Sequence, residues 1–230
     1  MKTSILYFIQ HSAFRFPQTV YRFAVFFLGM AACLHAEDSG KAGTLPPPAG
    51  SVFVIPEPNF LLPISEASAQ EPIPGSQRAK KVAARWDGES LRVLSPSEKS
   101  AWLATVDADV FAHAAQLANA ELSLAHEIIV RSDKGVIEAV ILSGERETFC
   151  SALFAPDLHK KYEEIFGEAF YAAVPTRYRI YLFPKLGGRP DAFAGAVLSD
   201  YRVSPAPVSP EIFEVRPGGM VRVVGILDDR

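Results

Sequence analysis

Residues 168–184 read Glu168-Ala-Phe-Tyr-Ala-Ala-Val-Pro-Thr-Arg-Tyr-Arg-Ile-Tyr-Leu-Phe-Pro184. This is the densest aromatic and β-branched run beyond the first 36 residues. Its two apolar halves, either side of Pro175-Thr176, each have the composition of a β-strand. The stretch predicts two central strands against which the rest of the chain packs.

Immediately before it, Pro156-Asp157 opens a short helix, Asp157 to Phe166, rich in Lys and Glu and closed by Gly167. Glu147 to Phe154 reads as a strand. Further back, Leu122–Arg131 and Val136–Leu142 form a hairpin around Asp133-Lys134-Gly135. Residues 82–94 form another, with Asp87-Gly88-Glu89-Ser90 at its turn. Between these hairpins Ser95-Pro96-Ser97-Glu98 carries a helix cap, a proline suited to the first turn and a capping-box glutamate. A second helix follows over about 108–119, with Asp107 as its cap. After the central stretch, residues 191–201 lean helical. Glu211–Val215 and Met220–Leu227 flank Pro217-Gly218-Gly219 as a last hairpin. Strands outnumber helices and come as hairpins. The expected class is α+β: a mainly antiparallel sheet with three or four short helices.

The chain has 230 residues, 49% hydrophobic and 21% charged, with a formal charge of −3. That balance supports a real core. It carries no basic run of the kind a nucleic-acid partner requires. The first 36 residues have the pattern of an export signal. Lys2, Arg15 and Arg22 precede the apolar core Phe23 to Leu34, and Ala36 is a small residue suited to the position before cleavage. That core is too short to span a bilayer, which takes about 20 residues. Two alternatives stay open. The long front end with its second apolar patch, Ile5 to Ile9, fits an uncleaved anchor or a start codon further along. Met30-Ala-Ala-Cys33 resembles a lipobox, in which cleavage falls before Cys33 and the cysteine takes a lipid. Cleavage after Ala36 leaves Cys150 without a disulfide partner. The expected location is therefore the periplasm, the cell envelope or the exterior, with membrane contact only through a lipid or an uncleaved signal.

Eight of the 18 prolines fall between Pro46 and Pro74. Residues 37–80 are expected to be a proline-rich linker in extended segments. Its apolar pieces 52–55 and 60–64 either dock on the domain as an irregular strand or bind a partner. The globular domain is expected over 81–230.

Chemistry-bearing residues are sparse. His113, His126 and His159 share no metal-ligand spacing, and no metal site or cofactor is expected. His159, in Asp157-Leu-His-Lys-Lys161, reads as a solvated helix residue. Cys150-Ser151 lacks the glycines of a nucleophile elbow. Strand alternation makes Cys150 a small buried hydrophobe. Arg177 and Arg179 lie two apart with Tyr181, which on one strand puts all three on one face. Two guanidiniums beside an aromatic suit a carboxylate or phosphate, so these three are the candidate ligand-binding residues.

Residues 145–215 resemble a YtpQ-like bacterial family of unknown activity. The resemblance rests on Phe149–Phe154, the helix ending at Gly167-Glu168, the run Ala172 to Arg177, and Pro207-Val208-Ser209 before Ile212-Phe213. Where that family tends to carry an acidic residue after the arginine, this chain has Tyr178. The resemblance implies a shared α+β domain and brings over no catalytic residues. The functional expectation is an exported domain that binds another envelope component without catalysis. The alternative is a hydrolase- or transferase-like enzyme using His126 or His159 with a carboxylate.

Overall fold

The computed structural model describes residues 47–61, 70–105 and 110–228, all within the unit Leu45–Arg230. Among the described residues ten strands form two antiparallel sheets, with four α-helices and several short 3-10 turns, so the class is α+β. The expected signal, Cys33, Ala36 and Asp107 lie outside the described residues.

The smaller sheet centres on β3 (Ala79–Trp86). β1 (Val52–Pro58) pairs along one side, and β2 (Gln70–Pro72) and β4 (Leu91–Val93) share the other. The larger sheet has six strands in the order β10, β9, β7, β8, β6, β5. Their ranges are β5 His126–Arg131, β6 Ile137–Ser143, β7 Phe170–Thr176, β8 Arg179–Pro184, β9 Glu211–Arg216 and β10 Met220–Ile226. Along β8 the side chains alternate. Ile180 and Leu182 face the main core, whereas Tyr181 and Phe183 face a second cluster with Val197 and Leu198.

The helices cover these faces. On the main-core side lie α2 (Val110–Ser123), α3 (Pro156–Phe166) and the 3-10 segment 147–154. On the opposite face lies α4 (Ala194–Val203). The first helix, α1 (Pro96–Thr105), brings Trp102 against Val52, Ala83 and Leu94 on the outer face of the small sheet. Its capping box forms as the sequence dictates. The Ser95 amide donates to the Glu98 carboxylate at 2.9 Å, and the Glu98 amide donates to Ser95 Oγ at 3.3 Å. The Asp87 turn also forms, its carboxylate accepting from the Glu89 and Ser90 amides.

Four readings of local structure are corrected. Regular sheet was not expected over 37–80, yet β1 and β2 form there. Phe53 and Ile55 are fully buried and pair across from Ala84 and Val82. Pro56 and Pro58 are tolerated because β1 is an edge strand, where a missing amide breaks no ladder. Glu147–Phe154 is a 3-10 segment with Thr148 through Leu153 all buried. An apolar run of that length has the same composition as a buried strand. Leu122 belongs to α2, which runs to Ser123, and β5 begins only at His126. The break in 168–184 falls at Arg177-Tyr178, not at Pro175-Thr176. Pro175 sits where the β7–β8 register slips between Ala173 and Thr176, so its lack of an N–H disrupts nothing.

One buried carboxylate joins the two sheets. Glu211, at the start of β9, accepts from Ser76 Oγ (2.7 Å), the Gln77 amide (2.8 Å), the Arg78 amide (3.1 Å) and Ser209 Oγ (3.0 Å). It thereby holds the 74–78 loop between β2 and β3 against the larger sheet. In the same loop a Cβ on Gly75 would lie 2.6 Å from the Val223 carbonyl oxygen, so glycine is required at this crossing. Glu211→Ala strands two backbone amides and is expected to destabilise by about 1–3 kcal/mol. Urea denaturation measures the loss, and a change under 0.5 kcal/mol, as at an ordinary surface position, contradicts it.

Candidate functional site

The structure separates the three expected ligand residues. Arg177 lies in the turn after β7 and points away from Arg179 and Tyr181. Its guanidinium grips both oxygens of Glu57 (2.7 and 2.8 Å) and one of Glu147 (2.7 Å). The Arg177 side chain is 11% exposed and that of Glu57 4%. Arg179 and Tyr181 do share a face, and both donate to Asp200 Oδ2 on α4, at 2.8 and 2.6 Å. Arg179 has become a half-exposed helix-to-sheet tie, and Arg177 a buried one. The shared face fails because a turn, not a continuous strand, separates residues 177 and 179. Each guanidinium is already committed to carboxylates.

The nucleophile candidates are equally enclosed. Cys150 is fully buried on the 3-10 segment, and its thiol donates to the Glu147 carbonyl at 3.3 Å. Burial pushes its pKa far up, with Arg177 opposing, which disfavours the thiolate. Ser151 Oγ is buried and has no hydrogen-bond partner among the described residues. His113 and His126 are exposed, on α2 and on the edge strand β5.

His159 corrects its reading as a solvated residue. It is buried on the face of α3 that also carries Leu158, Tyr162 and Phe166. Its ring stacks on Phe170 at 5.9 Å between centroids. Nε2 lies 2.9 Å from the Glu168 carbonyl oxygen and Nδ1 lies 3.6 Å from Glu163. A carbonyl oxygen only accepts, so Nε2 carries the proton in that bond.

His159 also borders an open recess of ≈ 800 Å³. One wall comes from α3 and the chain following it, with Glu163 and Glu168. The opposite wall comes from the ends of β8 and β9, with Lys185 and Arg216. Both cations pair with Glu214, on β9, which is only 1% exposed. It accepts from Lys185 Nζ (2.6 Å) and Arg216 Nε (3.0 Å), and from Arg222 Nε on the paired strand β10. Desolvation raises the Glu214 pKa, but the hydrogen bonds from Lys185, Arg222 and Arg216 outweigh it and hold the pKa at about 2. A folded-state pKa below the ordinary 4.5 stabilises the fold above that value. This contribution is expected to be lost as pH falls from 4.5 towards 2, and Glu214→Gln should remove that part of the acid dependence. Urea midpoints across this pH range test it, and identical pH profiles for the two proteins refute it.

This cluster was not singled out from the sequence. Its local half is present there: Glu214 and Arg216 alternate on one strand, and a tight Pro217-Gly218-Gly219 turn sets Arg222 opposite Glu214. Lys185 arrives from 29 positions away through the β7 strand between, which no local pattern shows.

Among the described residues no three of His, Cys, Asp and Glu converge as metal ligands, and no helix is long and apolar enough to cross a membrane. No protein-family model, curated protein or solved structure matches the chain.

Proposed function

We propose that the chain is an exported, envelope-associated binding protein whose body holds a ligand without transforming it. Residues 1–36 direct export in this reading. Cleavage falls after Ala36 or, on the lipobox alternative, before Cys33. The YtpQ-like pattern of 145–215 accords with a domain to which no activity is attached. The observation that supports binding is the recess. It sets cations, carboxylates and an imidazole around one opening, with the cations anchored on buried Glu214. Fixed charges of both signs around a concave surface select a ligand by the position of its polar groups.

The test is fractionation of cells producing the tagged chain, with mass determination of the recovered protein and palmitate labelling. The expected product is shortened and lies in the periplasm or envelope, and label at Cys33 assigns the lipidated form. The intact chain in the cytosol overturns the export reading.

A second reading is favoured by one observation: His159 beside Glu163 at the recess fits a hydrolase- or transferase-like site. Turnover of simple phosphate or carboxylate esters that disappears in His159→Gln, with the fold retained, would replace the binding reading by this one.

A further inference from the structure

Three cations converge on the single buried carboxylate of Glu214. Lys185 takes Oε1, and Arg216 and Arg222 share Oε2. One carboxylate among three cations leaves a local charge of +2. The side chains are 37%, 43% and 52% exposed, so each keeps donor surface towards water. Bringing three like charges onto one acceptor costs mutual repulsion that a solvent-side anion relieves.

The geometry points to this cluster as a phosphate-binding site, recognising a dianionic phosphate monoester or inorganic phosphate on its solvent side, where Lys185 and Arg216 also border the recess. Charge decides the class. A dianion neutralises +2, whereas a monocarboxylate leaves one cation uncompensated. Guanidinium groups also match phosphate oxygens in bidentate fashion. Glu163 and Glu168 on the helix-side wall repel the same anion. They confine it to the Lys185 and Arg216 side of the recess and leave the helix side for an uncharged or cationic remainder of the ligand.

This inference rests on the reading of the recess as a binding surface. It is tested on the full chain by titrating inorganic phosphate, followed by calorimetry and amide NMR shifts, against chloride at equal ionic strength. Saturable binding that shifts the Lys185, Arg216 and Arg222 amides is expected. Arg222→Gln should weaken it about fivefold or more. Glu214→Gln, which raises the local charge to +3, should tighten it by a similar factor. Should Glu214→Gln fail to fold, the Arg222→Gln result decides. Shifts that match those of chloride, or affinity unchanged by Arg222→Gln, overturn the site. Vesicles of phosphatidic acid compared with phosphatidylcholine identify the phosphate source. Retention only on phosphatidic acid supports a lipid headgroup, and phosphate binding without retention supports a soluble ligand. A processed, exported chain that ignores phosphate removes this inference alone. A phosphate-binding chain that stays untrimmed in the cytosol removes the export reading alone.

Discussion

Arg177→Met is expected to destabilise the protein by about 3–5 kcal/mol, among the largest losses of any single charged residue here. Two carboxylates, Glu57 and Glu147, meet one guanidinium in a region where Glu57 is 4% exposed. Removing the cation leaves two negative charges facing each other, Glu57 buried and Glu147 partly so. The partners show the imbalance already. Burial raises the Glu57 pKa, Arg177 opposes that shift, and Glu147 adds to it. A pKa raised in the folded state means that the fold is favoured at low pH and loses that advantage as pH rises through the raised value. Glu57→Gln removes the surplus charge and keeps an acceptor for Arg177. It should cost far less than Arg177→Met at neutral pH and flatten that part of the pH profile. Adding Glu57→Gln and Glu147→Gln to Arg177→Met should recover much of the loss, because the uncompensated charges are then gone. Denaturant curves of the single and triple variants measure this. A loss below 1 kcal/mol for Arg177→Met, the range of exposed pairs, would show that water reaches the cluster.

Phe53→Ala is expected to cost about 3–5 kcal/mol. Phe53 is fully buried, lies opposite Ala84 and belongs to the cluster that also holds Phe149, Leu142 and Phe213. A proline-rich tether would tolerate the same change within the ±0.5 kcal/mol of a surface site. Thermal or urea unfolding separates the two outcomes cleanly. A neutral result would return residues 52–58 to the status of a linker.

The readings that succeeded and failed divide by range. The Ser95–Glu98 box, the Asp87 turn, the β9–β10 hairpin and the Gly167 stop are all specified within a few neighbouring residues, and local chemistry names them. The sequence points to 52–55 as an irregular docked strand and not to the regular β1, because proline content reports a missing amide and not whether that amide is needed, which depends on which strand lies at the edge. Glu147–Phe154 reads as a strand because Thr148 to Leu153 are buried without a break and leave no polar face from which to read a period. His159 was misplaced because the lysines after it suggested solvent, while Leu158, Tyr162 and Phe166 turn its side of α3 inward. Arg177 and Arg179 have side chains suited to an anionic ligand. Their anions proved to be Glu57, Glu147 and Asp200, which lie up to 120 positions away. The Glu214 cluster has the same long-range character through Lys185.

The tie between Glu211 and the 74–78 loop carries a consequence for how the molecule is made. It joins residues 133 to 135 positions apart, and Glu57 likewise waits for Arg177, 120 positions later. A chain emerging from its N-terminal end presents β1 and the 74–78 loop long before either can find its acceptor or counter-ion. Ring closures of that length slow the search for the native pairing. These ties close only after the chain through Glu211 has left the ribosome, so any factor that engages the nascent form before then meets an unlocked one.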